Sequence, residues 1–94
     1  MYYFLHCIDK PDSLELRKAT RDAHLEYIKD YKLFIGGPTL ANDNETMNGS
    51  VIIVDLENEA ELAEFCANDP YAKAGLFESV TTFPWKRAVY NPDV

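Results

Sequence analysis

Ninety-four residues can enclose one hydrophobic core but not two, and a chain that is 47% hydrophobic and 27% charged is a folded globular domain rather than a disordered one. Sixteen acidic against nine basic residues leave a net charge of −7, which repels nucleic-acid phosphates and anionic membranes and excludes both as expected partners. No apolar run approaches the roughly 18 residues needed to cross a bilayer, and the N-terminal Met1-Tyr2-Tyr3-Phe4-Leu5-His6 lacks the basic region and small-residue cleavage site of a signal peptide.

Tyr2 to Ile8 is aromatic, β-branched or apolar except at His6, which predicts a buried strand. Pro11-Asp12-Ser13 ends it and opens a helix from about Ser13 to Tyr31, with Asp12 and Glu15 at capping-box spacing and Ser13 as the alternative cap. Leu16, Ala19, Ala23, Tyr27 and Tyr31 recur at helical spacing and are read as its core-facing stripe. Leu33 to Gly36 predicts a short second strand, broken by Gly36-Gly37-Pro38. Asn42 to Gly49 is polar, with Asn48-Gly49 a turn signal, and Asn42–Asn48, with Met47 its one apolar member, is expected to be the most mobile stretch and to act as a lid. Val51-Ile52-Ile53-Val54 is a third strand of almost pure β-formers. Asn58 and Glu61 repeat the capping-box pattern and open a helix from Glu59 to about Ala67. Asp69-Pro70 stops that helix, and Asp69 can cap a further short turn with Pro70 at its first position. Glu78 to Phe83 is the fourth strand, and the tail beyond Pro84 is expected to dock as an extended arm carrying Trp85 and Tyr90.

The order β-α-β-β-α-β is that of a ferredoxin-like α+β fold, a four-stranded antiparallel sheet with two helices on one face. An antiparallel sheet with one wet face alternates apolar and polar residues, and Tyr2–Ile8 and Val51–Val54 do not. The sheet's second face therefore needs a cover that this chain has no element left to provide. A second copy supplies it, giving a homodimer whose sheets meet face to face as in a dimeric α+β barrel.

Four segments together resemble the YCII-related family: Arg21-Asp22-Ala23-His24-Leu25-Glu26-Tyr27 on the first helix, Gly36-Gly37-Pro38 after the second strand, Gly49-Ser50 opening the third, and Asp69-Pro70-Tyr71-Ala72-Lys73-Ala74-Gly75-Leu76 after the second helix. Phe83-Pro84-Trp85 fits as well, so the likeness runs over almost the whole chain and marks residues 1–94 as one domain. The histidine segment and the Asp-Pro-aromatic segment are its most specific parts. The resemblance implies a ferredoxin-like dimer, related in fold to muconolactone isomerases, with a site built on a histidine and an aspartate. His24 and Asp69 stand at those positions.

Residue chemistry agrees with that assignment without requiring it. A mid-helix histidine alone reads as a boundary residue, but an imidazole titrating near pH 6.5 suits general acid–base work. Asp69 alone reads as a cap, and a carboxylate fixed at a cap can orient an imidazole. The substrate-binding candidates are Ser50 as a hydrogen-bond donor, Gly36 and Gly37 as a place of close backbone approach, and Arg21, one turn before His24, as a partner for an anionic group. His6 is the remaining candidate, placed either beside His24 or toward the dimer interface. Cys7 and Cys66 form no metal or redox motif and are read as apolar filler in a reducing cytoplasm. With no glycine-rich phosphate loop, no His-x-x-x-His pair and no serine elbow, neither metal nor cofactor is expected. Two functions remain: a lyase or isomerase moving a proton at carbon on a small cyclic or carboxylated metabolite, and a non-catalytic dimeric domain binding such a molecule.

Overall fold

A computed structural model describes residues Met1–Val94. The chain forms β1 (Tyr2–Asp9), α1 (Leu14–Ile28), β2 (Lys32–Leu40), β3 (Met47–Asp55), α2 (Glu59–Asn68), the single-turn α3 (Pro70–Lys73) and β4 (Phe77–Trp85). The strands make one antiparallel sheet in the order β2-β3-β1-β4, which is the expected ferredoxin-like arrangement with one extra helical turn. No helix is long and apolar enough to cross a membrane.

The strand period of two divides β1 cleanly between the two sheet faces. Tyr3, Leu5, Cys7 and Asp9 are buried toward the helices, while Tyr2, Phe4, His6 and Ile8 point the other way. On the helix side Tyr3, Leu5 and Cys7 pair with Val54, Ile52 and Ser50 of β3, and α2 closes over them with Leu62 and Phe65. The far face carries Phe4, Ile35, Val51 and Phe83, with Ile35 54% and Phe83 55% exposed. At one end of that face Tyr2, Phe34 and Trp85 form an aromatic cluster. The tail docks there as expected, with Tyr90 6.4 Å from Phe34 and the Arg87 guanidinium over both rings.

Three local expectations need correction. Gly36-Gly37-Pro38 does not break β2, which runs through them to Leu40. β2 is an edge strand, and a proline's missing N–H is tolerated where one row of amides has no sheet partner. The expected lid is a tight hairpin turn: Asp43 accepts hydrogen bonds from the Glu45 and Thr46 amides and the Thr46 hydroxyl, and Ala41 N donates to Thr46 O at 2.8 Å. Those bonds hold the Asp43 carboxyl down at about 2, the Thr46 hydroxyl contributing most. The Asp12–Glu15 capping box does not form. Asp12 takes a positive φ of 56° in the turn, and Ser13 occupies the N-cap with its hydroxyl directed to Pro11 O. Asn58 does cap α2, accepting from Glu61 N at 2.9 Å.

The inner face of α1 is the largest departure. Leu16, Ala19 and Ala23 are exposed, and the residues α1 buries are Arg17 and His24, with Tyr27 and Ile28 partly covered. Arg17, Arg21, His24 and Ile28 follow one another at i, i+4, i+7 and i+11, as regular a stripe as the apolar one but polar over its first two turns. A polar stripe survives burial only where each group finds a partner.

Candidate functional site

Asp9, the last residue of β1, receives Arg17 side-on: Nε donates to Oδ2 at 2.7 Å and Nη2 to Oδ1 at 2.9 Å. The pair is buried, and its two-pronged geometry is the one in which guanidinium and carboxylate satisfy each other best. Burial works against the Arg17 charge, and the bonds and charge of Asp9 more than offset it, leaving the guanidinium above its ordinary value. Arg17 Nη2 also donates to Ser50 Oγ at 2.9 Å, tying the first helix to β3.

Two turns further along α1, His24 Nδ1 lies 2.9 Å from Asp69 Oδ1. The same carboxylate oxygen accepts the Tyr71 amide at 2.9 Å, so capping α3 also pins Asp69. Pro70 at the first helical position pre-sets the turn. Tyr71, 2% exposed, is the shared platform: the His24 ring stacks on it with centroids 4.2 Å apart and planes 20° from parallel, and Arg17 Cζ lies 4.7 Å from its centroid. Burial pushes the Tyr71 hydroxyl up, while Arg17 and Arg21 pull it down.

These residues surround a cavity of about 190 Å³ between α1 and the sheet. Arg17, Arg21, His24, Ser50 and Tyr71 supply its polar lining, and Leu25, Ile28, Leu33, Met47 and Ile52 its apolar wall. A Cβ at Gly36 would make ordinary contact with Leu33 Cδ2 at 3.4 Å and Ile52 Cγ1 at 3.5 Å, both in the cavity's apolar wall. Gly36 and Gly37 line the cavity as extended backbone in β2, not as the positive-φ turn that two adjacent glycines suggest.

Of the residues singled out from sequence, His24, Asp69, Ser50, Gly36, Gly37 and Arg21 therefore gather at one place. His6 does not join them. It sits between Leu5 and Cys7 on a strand whose odd positions face the helices, so its side chain is on the far sheet face. Asp9, Arg17 and Tyr71 were not foreseen as site residues. The available signal for Arg17 was its spacing from Arg21 and His24, which puts three basic side chains on one helix face.

Residues 1–86 match the YCII-related domain. The chain belongs to the YCII-related family. Protein YciI of Escherichia coli O6:H1 is 32% identical over 96 aligned residues, covering 93% of this chain and 98% of its own. Among solved structures, the 5-chloro-2-hydroxyhydroquinone dehydrochlorinase TftG of Burkholderia phenoliruptrix AC1100, in complex with 2,5-dihydroxybenzoquinone, is 35% identical with a TM-score of 0.86. That match covers 94% of this chain and 96% of TftG. An antibiotic biosynthesis monooxygenase, 10% identical with a TM-score of 0.57 over 94% of this chain and 98% of its own, shares the fold alone, that of the dimeric α+β barrels.

Proposed function

We propose that this chain is a lyase or isomerase that moves a proton on a small cyclic or carboxylated metabolite, with His24 as base and Asp69 as the group that orients it. The observation that carries the reading is the 2.9 Å contact between His24 Nδ1 and a carboxylate itself pinned by the Tyr71 amide, in the wall of a cavity lined by both polar and apolar side chains. A carboxylate at Nδ1 holds the proton on that nitrogen and leaves the Nε2 lone pair free to act. The Tyr71 stack fixes the ring plane. The cavity volume suits one six-membered ring with a few substituents, since about 150 Å³ admits benzene. The 35% likeness to TftG, whose substrate is a chlorinated hydroxyhydroquinone, supports a ring of that kind.

In this reading Nε2 takes a proton from a hydroxyl, or from a carbon acidified by a neighbouring carbonyl. The electron pair left behind either expels a leaving group, for a net loss of HX, or is reprotonated at another carbon to give an isomer. Asp69 stabilises the imidazolium that forms, and the Ser50 hydroxyl faces the oxygen on which charge develops. Proton transfer of this sort needs no metal or organic cofactor. Both cysteines are free thiols, which supports a reducing, cytoplasmic setting.

Chloride release from 5-chloro-2-hydroxyhydroquinone, followed beside a screen of small lactones and unsaturated acids, tests the reading. His24→Ala should lower turnover by about 10²–10⁴-fold. Asp69→Asn should leave binding near normal and cut the rate, because an amide can favour the wrong tautomer. Full activity in His24→Ala refutes the mechanism. Binding without turnover of any compound assigns the chain to the non-catalytic binding domains instead.

A further inference from the structure

Arg17 has one nitrogen that the protein does not use. Its hydrogen bonds run from Nε and Nη2, to Asp9 and Ser50, and none runs from Nη1. Yet the residue is 3% exposed, and no fully buried side-chain nitrogen or oxygen in the molecule lacks a partner. Nη1 is therefore at a surface, and the surface Arg17 reaches is that of the cavity.

The guanidinium plane fixes where its free protons point. Asp9 takes the fork made by Nε and Nη2. The second proton of Nη2 goes to Ser50 Oγ, and in a planar guanidinium the outward proton of Nη1 runs parallel to it, a little over 2 Å away by ordinary geometry. Nη1 thus points beside Ser50. Ser50 is constrained in turn: its oxygen accepts from Arg17, so its hydroxyl proton is the part left to offer. Two donors, one of them charged, converge on the same point of the cavity wall. Nothing in the protein answers them.

Resting on the proton-transfer reading of the cavity, we infer that Arg17 Nη1 and the Ser50 hydroxyl form an oxyanion subsite, and that the ligand presents an ionised ring hydroxyl or enolate oxygen to it. Asp9 acts as a positioning residue. It holds the guanidinium side-on and directs the remaining donors inward. The subsite selects ionised over alkylated oxygens, because a methyl group would remove the anionic charge and fill the space between the two donors. Arg21, exposed at the cavity rim, adds positive potential at the entrance of an otherwise acidic molecule. The same two donors stabilise negative charge that grows on this oxygen as His24 acts.

Calorimetric titration with 2,5-dihydroxybenzoquinone, and with 2,5-dimethoxybenzoquinone as the alkylated control, tests the subsite on the full chain. The dihydroxy compound should bind more tightly than the dimethoxy one. Ser50→Ala and Arg17→Lys should each weaken the dihydroxy compound about ten- to a hundredfold, the loss expected when a hydrogen bond to a charged group is removed. The double variant should lose less than the product of the two, because both donors serve one oxygen. The dimethoxy compound should be indifferent to either change. If Arg17→Lys fails to fold, Ser50→Ala alone decides. Equal affinity for the two compounds, unchanged affinity in Ser50→Ala, or no binding of the dihydroxy compound by the unmodified chain would overturn the inference. Because the readout is equilibrium binding, it separates from the catalytic reading: a Ser50-dependent ligand combined with full turnover in His24→Ala would sink the base and leave the subsite standing.

Discussion

Cys7 lies on the inner face of β1 against Ser50 and Val80, and burial pushes its thiol from 9.0 up to about 12, with the Asp69 charge adding to the effect. A protonated, enclosed sulfur is apolar filler and not a nucleophile. Its contribution to stability is complete below pH 9 and is lost as pH rises toward about 12, because the folded state holds the proton more tightly than the unfolded chain does. At pH 8 the thiolate fraction of Cys7 should be far lower in the folded chain than in the unfolded one. Iodoacetamide labelling followed by mass spectrometry should therefore modify Cys7 only after denaturation. Rapid labelling of Cys7 in the native chain would show that the inner face of β1 is open. At this same scale His24 and Asp69 were legible because their neighbours match a family pattern. Arg17 was not, since a single arginine in an amphipathic helix looks like any solvated charge until Asp9 is placed beside it.

Strand β3 must pass close to β1 at Gly49. A Cβ at that position would lie 2.4 Å from the Cys7 carbonyl oxygen and 2.7 Å from Thr39 Oγ1, distances that atoms do not tolerate. Gly49→Ala should therefore push the strands apart just before Ser50 and cost about 1–3 kcal/mol in urea denaturation. Gly37→Ala is the matched control: a Cβ there meets nothing within 4 Å, and its stability should stay within about 1 kcal/mol of the parent. Equal destabilisation by both would mean that strand propensity, and not close approach, governs these glycines. Elements with strong local signals were legible, among them the Val51–Val54 run and the α2 cap at Asn58. β2 was not, because Gly-Gly-Pro reads locally as a breaker. Only the strand's place at the sheet edge makes that tripeptide compatible with pairing to Val51 and Ser50.

At the scale of the whole molecule, the far face of the sheet presents Phe4, Ile8, Ile35, Val51 and Phe83 with no helix to cover them. A contiguous apolar face of this kind is an interface in waiting, and we expect a homodimer closed across it. Light scattering at micromolar concentration should give about twice 10.7 kDa, and Phe83→Asp should shift the population toward monomer by placing a charge against the partner sheet. A monomeric parent chain would refute the arrangement. The amino-acid sequence alone determined the βαββαβ order, the doubly apolar strands behind the expectation of a second copy, and the family motifs that contain His24 and Asp69, because each of these is written in local pattern or in a contiguous motif. The tertiary structure alone decided that α1 turns a basic stripe inward, that β1 splits His6 from Cys7 across the sheet, and that Asp9, Arg17, Ser50 and Tyr71 meet around one cavity. Those residues are up to 62 positions apart, between Asp9 and Tyr71. Burying a charge is unfavourable until its partner arrives, and in this chain each partner comes from a different element.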